Sequence, residues 1–182
     1  MTDVSRFIVL IPHRDAGNNL DDYRKKLFSA GYSGAYSFPA AAPLAKVSGH
    51  FTREELKELA LNIRKLTDSR DGKIRSSGAG FVRDLDNFPF LGIFLDFSLN
   101  ESHFSHKTQG KIIKIVSSPA LCAAITGSDI IPDGIEIPVL SFRAASLANL
   151  AIKPLQSGEK GYSFEWKTNT QVWLPKYHRK SE

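Results

Sequence analysis

The stretch SFRAASLANLAI at residues 141–152 has the pattern of a β-strand, and SFPAAAPLA at residues 37–45 echoes it. Aligned at their ends, the two stretches share Ala-Ala, then Pro or Ser, then Leu-Ala. Strand alternation places Ala144 and Ser146 on one face of the second stretch. The echo predicts two similar strands, near residues 35–47 and 140–153. Because Pro39 and Pro43 cannot donate ladder hydrogen bonds, the first strand should lie at a sheet edge or bend there.

Helical patterns lie on both sides of residues 35–47. Thr52-Arg-Glu-Glu55 forms a capping box, in which the Thr52 hydroxyl covers a backbone N–H and the Glu55 carboxylate reaches back. An amphipathic stripe follows it, made of Leu56, Leu59, Ala60, Ile63 and Leu66. Before the first strand, Asn18 or Asn19 can cap a helix that ends near Gly31. We therefore expect one helix before the strand and one directly after it.

The other apolar stretches indicate further elements. Phe7–Ile11 has the continuous apolar pattern of a strand covered on both faces. His13-Arg-Asp15 at its end fits either a polar strand terminus, which is the commoner case, or a pocket lining. Lys111–Ile125 predicts a helix broken at Ser117–Pro119. The remaining predicted strands are Lys73–Val82, Phe90–Leu99 and Tyr162–Leu174, with a turn at residues 84–89. Strands and helices alternate without a long linker, which favours a single α+β domain over residues 1–182.

Composition narrows the classes of protein. The 182 residues are 42% hydrophobic and 24% charged, close to globular averages, which excludes a disordered or fibrous chain. The single cysteine, Cys122, excludes an intramolecular disulfide and a cysteine-based zinc cluster. A net charge of +5 mildly favours anionic partners. No stretch has the length and apolarity of a membrane span or a signal-peptide core, so we expect no membrane association and a cytoplasmic location.

On the echoed residues the chain resembles the 2H phosphoesterase superfamily, which includes RNA 2′,5′-ligase-like proteins and cyclic phosphodiesterases. Members carry His-x-(Thr or Ser)-hydrophobic twice, on two strands related by a pseudo-twofold axis that line one cleft. In this sequence Gly49 and the helix at Thr52–Leu66 follow the first motif strand, in the family's order. The resemblance implies an α+β fold of two pseudo-twofold-related lobes of antiparallel sheet, with outer helices around a central cleft.

The two family histidine positions are Ala41 and Ala144 in this chain, and the two hydroxyl positions are Pro43 and Ser146. In the family one histidine takes a proton from the attacking oxygen and the other protonates the leaving oxygen. A methyl group does neither. Because one positioned acid or base contributes about 10²–10⁴-fold to a rate, the loss of both predicts a catalytically degenerate member with no catalytic residue.

A degenerate cleft still suits a phosphorylated ligand. The resemblance implies Ser146 as a ligand hydroxyl, with Lys46, Arg143 and Lys153 as candidate phosphate partners. Arg143 is the weakest of these three candidates, because strand alternation turns it away from Ser146. The expected partner is a nucleotide, or an RNA with a terminal or cyclic phosphate, without a cofactor or a metal. Aromatic residues that interleave with lysines near the C-terminus, including Trp166 and Trp173, suit stacking on nucleic-acid bases.

Two alternatives stay open. One is a protein-interaction or structural domain whose cleft is filled, with the alanines simply allowing close packing. The other is an active cyclic phosphodiesterase that uses His50 with His103 or His106, because His50-Phe-Thr52 matches His-x-Thr. Against the second, Thr52 is better explained as a helix N-cap, which leaves His50 in a turn. Catalytic imidazoles need rigid supporting elements.

Overall fold

The structure is a computed structural model that describes residues 4–32, 34–35, 38–83, 90–125, 133–154 and 164–178. The strands are β1 (Ser5–Pro12), β2 (Ala42–Val47), β3 (Ile74–Val82), β4 (Phe90–Leu95), β5 (Ile112–Ile115), β6 (Ala120–Ile125), β7 (Ser141–Phe142), β8 (Ala145–Pro154) and β9 (Phe164–Trp173). The α-helices are α1 (Arg14–Ser29), α2 (Arg53–Thr67) and α3 (His106–Gln109), with 3₁₀ turns at Asp68–Arg70 and Glu101–His103.

The strands of the described residues form two antiparallel sheets. The large sheet has the order β5-β2-β1-β8-β9, and the small sheet has the order β6-β4-β3-β7. Both predicted motif strands, β2 and β8, therefore lie in the large sheet, one on each side of β1. The predicted α+β class with antiparallel sheets is confirmed.

Alternation along β1 divides the core into two parts. Phe7 and Val9 face one apolar cluster, and Ile8 and Leu10 face the other. The first cluster lies between the sheets, because it combines β1 with Val82, Phe90 and Cys122 of the small sheet, whereas the buried apolar residues of α1 and α2 belong to the other cluster. On the outer sides, α2 packs against β8 and β9, whereas α1 packs against β6 and β7. The fold thus has two packed sheets with an outer helix on each.

The two sheets meet along one edge. The backbone N–H of Cys122 in β6 donates to the carbonyl of Ala41, just before β2, at 3.0 Å. Nearby, Gly34 forms a bridge with Ile125, so closely that a Cβ on Gly34 would lie 1.9 Å from the Ile125 carbonyl oxygen. Only glycine permits this approach. The gap between the sheets is therefore closed on the side of Ala41.

The capping-box prediction at α2 is confirmed. The Thr52 hydroxyl accepts from the Glu55 N–H at 3.2 Å, and the Glu55 carboxylate accepts from the Thr52 N–H at 2.8 Å. The first helix begins at Arg14 rather than after Asn18, with His13 as its N-cap. The chain thus passes from β1 into α1 with hardly a connecting residue.

Two of the predicted elements need correction. The predicted helix at Lys111–Ile125 is wrong, because this segment forms β5 and β6 with Ser117–Pro119 in the connection. All of β6 is buried, and a short, fully buried strand has no alternation that distinguishes it from a helix. The first motif strand, β2, is shorter than predicted and lies inside the sheet rather than at an edge. The register of its pairing with β1 shifts at Pro43, where a bend was expected.

Two predicted features lie outside the described residues: the turn at residues 84–89 and the start of the last strand at Tyr162. The described part of that strand, β9, runs over Phe164–Trp173. Among the helices of the described chain, none combines the length and the apolar character needed to span a lipid bilayer.

Candidate functional site

Ala41 and Ala144, which were predicted to stand at the family's histidine positions, lie at the same end of the large sheet. Ala42 lies opposite Leu10 and Ala145 lies opposite Pro12, so Ala41 and Ala144 come on either side of the last residues of β1. The Ala144 carbonyl also accepts a hydrogen bond from the His13 N–H at 2.9 Å. Their surroundings differ, because Ala41 is buried and Ala144 is exposed.

Ala41 lies in the apolar cluster between the sheets and is 1% exposed. Phe38 and Phe90 in the same cluster stack with ring centroids 6.1 Å apart and an angle of 12° between the planes. Apolar side chains thus occupy the space around the first histidine position. No polar ligand can reach Ala41 without unpacking this cluster.

Ser146 is also buried, at 1% exposure. Its hydroxyl oxygen accepts a hydrogen bond from Nε2 of Gln171 at 2.5 Å, and its strand partner in β9 is Trp173. The Gln171 amide therefore occupies the position from which a ligand would approach Ser146. A ligand role for Ser146 requires Gln171 to move and stays a prediction.

The three predicted phosphate partners are dispersed. Lys46 is half-buried in β2 opposite Lys114, and Lys153 is exposed near the end of β8 opposite Glu165. At about 3.3 Å per residue, Lys153 lies roughly 23 Å along the strand from Ser146. Of the three cations, only Arg143 lies beside a family motif position, next to Ala144.

Arg143 and Ala144 line a pocket of about 340 Å³, called here the Arg143 pocket. It lies where the end of β1, the start of α1, the start of β3 and the β7–β8 connection meet. Its lining residues are His13, Asp15, Ala16, Lys73, Ser141, Phe142, Arg143 and Ala144. The sequence pointed to His13 and Asp15 through their place at a strand end. It gave no indication of Lys73, which the fold brings in from another part of the chain.

The charges of the Arg143 pocket favour an anion. Lys73 and Arg143 contribute two positive charges against the one negative charge of Asp15, and none of the three forms a salt bridge with another described residue. The Arg143 guanidinium is held in place, because its Nε donates to the Asp71 carbonyl at 2.9 Å. Together with the Ser141 hydroxyl, these groups suit a phosphate or another small anion.

An aromatic surface adjoins this pocket. The His13 ring meets Trp173 edge to face, with centroids 5.3 Å apart and an interplanar angle of 62°. Trp173 is 55% exposed, an unusual degree for so large an apolar side chain. A planar group bound in the Arg143 pocket would therefore find an aromatic contact beside it.

The three histidines of the alternative active site do not share this pocket. His50 is exposed in a turn whose next residue, Phe51, is held by two hydrogen bonds of 2.8 Å with the Asn149 side chain. Nδ1 of His103 accepts from the Asn100 N–H at 3.0 Å, as part of a cap. His106 is the exposed first residue of α3. Each histidine thus has a surface or capping position.

Two basic residues, Arg24 and Lys111, have structural roles. Arg24 is buried and donates to the carbonyls of Ala35 and Phe38. Lys111 is paired with Glu55 at 2.8 Å.

Within the described residues, no three His, Cys, Asp or Glu side chains come together as a set of metal ligands.

Comparison of the chain with protein-family models, with curated proteins and with solved structures finds no match. The function must therefore be inferred from the geometry of the site itself.

Proposed function

We propose that this chain is a catalytically degenerate domain of the 2H phosphoesterase type that binds a phosphorylated ligand, a nucleotide or an RNA end, in the Arg143 pocket. The observation that carries the proposal is the meeting of Lys73 and Arg143 with the Ser141 hydroxyl beside Ala144, the second family histidine position. The placement of Ala41 and Ala144 on either side of the end of β1 supports the relation to the family. Both motif strands lie in one sheet, so the two-lobed arrangement of the family stays a prediction.

The same geometry argues against hydrolysis by the family's two-histidine mechanism. Acid–base cleavage of a phosphodiester needs two proton-transfer groups within hydrogen-bond reach of the reacting oxygens. In the Arg143 pocket the ionisable groups besides the cations are His13 and Asp15, and Ala144 contributes only a methyl group. The other family position, Ala41, is sealed in the core. Neither family position can therefore transfer a proton, and we expect binding without turnover by the family's mechanism.

The His13–Trp173 pair favours a nucleotide over a bare phosphate. Stacking of a base on an aromatic side chain is worth about 1–3 kcal/mol in single-stranded nucleic-acid sites. Because His13 lines the pocket and also touches Trp173, a base and its phosphate can be held by adjoining parts of the surface. Stacking alone reads no base identity, so the expected ligand is a class of nucleotides rather than one of them.

The proposal is tested by calorimetric titration with uridine 3′-monophosphate and adenosine 3′-monophosphate. We expect Lys73→Ala and Arg143→Ala each to weaken binding about tenfold or more, because each removes one charge-assisted contact. Trp173→Ala should weaken binding of the nucleotides but leave binding of inorganic phosphate unchanged. Lys153→Ala is the matched control, since it removes an equal charge far from the pocket. Equal losses in Lys153→Ala and Arg143→Ala would show a general charge effect and contradict the site.

The filling of the inter-sheet space favours a second candidate function, a protein-interaction or structural domain. Ala41, Phe38 and Phe90 close the family cleft with packed apolar side chains. Such a domain would bind neither the nucleotides nor inorganic phosphate. The same titration therefore separates the two candidates, because only the first predicts saturable binding that depends on Arg143.

A further inference from the structure

We infer that Arg64 is the positioning residue of the Arg143 pocket. Its side chain fixes the spacing between the two segments that carry Lys73 and Arg143. The inference rests on the proposed function, because it explains how that pocket keeps its shape. Arg64 lies on α2 and does not line the pocket. Its effect on a ligand therefore passes through the residues that it holds.

The Arg64 guanidinium joins three separate segments of the chain. Its Nε donates to the Pro175 carbonyl at 2.7 Å, its Nη1 to the Gly72 carbonyl at 2.8 Å and its Nη2 to the Arg143 carbonyl at 2.8 Å. These carbonyls belong to the segment after β9, the turn before β3 and the β7–β8 connection. One buried side chain, 7% exposed, thus ties the three segments to one another.

Two of the three segments form the pocket wall. Gly72 directly precedes Lys73, and the third carbonyl is that of Arg143 itself. The Arg143 side chain returns to the same turn through its hydrogen bond to the Asp71 carbonyl. The turn and the connection are therefore locked by two guanidinium groups, one from α2 and one from the pocket rim.

Only arginine has the geometry for this role. Its planar guanidinium presents five N–H donors in a fixed fork, whereas lysine has one ammonium nitrogen that cannot reach three carbonyls in different directions. Among the described residues Arg64 forms no salt bridge, so its buried charge is balanced by carbonyl dipoles together with the negative charge of Asp68. Arg64→Lys keeps the charge and removes the fork, which isolates the positioning effect.

The test is a double-mutant cycle with uridine 3′-monophosphate as the probe. We expect Arg64→Lys to weaken binding about tenfold at a temperature where the variant is folded by circular dichroism. In an Arg143→Ala background the Arg64→Lys substitution should weaken binding less than about threefold. One of the two cations that Arg64 positions is already absent from that background. Wild-type affinity in folded Arg64→Lys, or an equal loss in both backgrounds, would overturn the inference.

A measurement on the wild-type protein covers the case in which Arg64→Lys does not fold. The Nη–H resonances of Arg64 should shift during the titration, although Arg64 does not touch the ligand, because Nη1 and Nη2 donate to the Gly72 and Arg143 carbonyls of the pocket wall. Absence of a shift while the pocket amides respond would overturn the role of Arg64 and leave the proposed function intact. If the wild-type protein does not bind the probe, both the proposed function and this inference fail.

Discussion

Gly72 and Tyr177 lie so close together that a Cβ atom on Gly72 would come within 2.4 Å of Cγ of the Tyr177 ring. Gly72 also has a φ of +67°, directly after Asp71 at +55°, so the turn before Lys73 uses two consecutive left-handed residues. The chain thus enters the Arg143 pocket through a turn that only glycine allows, covered by the ring of Tyr177.

Gly72→Ala should lower the free energy of unfolding by about 2–5 kcal/mol, because backbone strain of about 1–2 kcal/mol adds to overpacking of about 1–3 kcal/mol. Urea unfolding measures the change. Gly31→Ala is the matched control, since Gly31 has a φ of +95° but a Cβ added there would meet no atom within 4 Å. A loss in Gly72→Ala no larger than in Gly31→Ala would show that Tyr177 does not pack on this turn.

Histidines placed at Ala41 and Ala144 should have unequal effects. Ala41→His places an imidazole in the apolar cluster between the sheets and should cost about 2–5 kcal/mol through overpacking and an unpaired polar group. Ala144→His lies at the open pocket and should change stability by less than about 0.5 kcal/mol. Thermal unfolding of the two single variants tests this difference, and equal stabilities would mean that the inter-sheet space is open.

Glu55 predicts a pH-dependent contribution to stability. Burial acts to raise the pKa of this carboxyl, but hydrogen bonds from Lys111 and Thr52 outweigh it, so the pKa lies below its usual value of 4.5. A lowered folded-state pKa contributes stability above the unfolded-state value, and the contribution is lost as the pH falls through the folded-state pKa. Glu55→Gln should therefore cost about 1–2 kcal/mol at pH 7 and much less near pH 3.

Urea unfolding of wild type and Glu55→Gln at the two pH values measures this change. Glu54→Gln is the control, because the Glu54–Lys57 pair is exposed on the same helix turn. A cost of Glu55→Gln that does not depend on pH would show that the loss comes from shape or packing rather than from the carboxylate.

Cys122 should resist thiol reagents in the folded protein. Burial in β6 raises the pKa of its thiol to about 12, so the reactive thiolate is scarce at pH 8 and the sulfur has no access to solvent. Labelling with Ellman's reagent at pH 8 should be slow in buffer. In about 6 M guanidinium chloride, which unfolds the protein, labelling should be complete within seconds to minutes. Fast labelling in buffer would contradict the burial of β6 between the sheet and α1.

The sequence was most informative where a local signal decides the structure. The Thr52–Glu55 box and the stripe from Leu56 to Ile63 define α2, because capping and periodicity involve only neighbours in the chain. The start of α1 was less predictable, since His13 caps the helix without a side-chain hydrogen bond. The sequence predicted a helix where β6 lies, because six consecutive buried residues show no alternation of apolar and polar side chains.

The candidate site was only half visible in the sequence, because long-range contacts assemble it. Arg143 and Ala144 came from the echoed motif, whereas Lys73 reaches the pocket only through the turn at Gly72 and the hydrogen bonds of Arg64. In sequence, Arg64 is an ordinary polar position on an amphipathic helix. Its partners Arg143 and Pro175 are distant in the chain, so no local pattern could reveal them.

The central claim, binding without catalysis, is tested most directly by following uridine 2′,3′-cyclic monophosphate by ³¹P NMR in the presence of the wild-type protein and Arg143→Ala. We predict that the phosphorus signal shifts or broadens with the wild-type protein, that Arg143→Ala abolishes most of this effect, and that no hydrolysis product appears over hours. Product formation with the wild-type protein would contradict the claim, and its loss in His50→Ala would establish the alternative phosphodiesterase site. An unchanged signal with the wild-type protein would contradict the proposed ligand site.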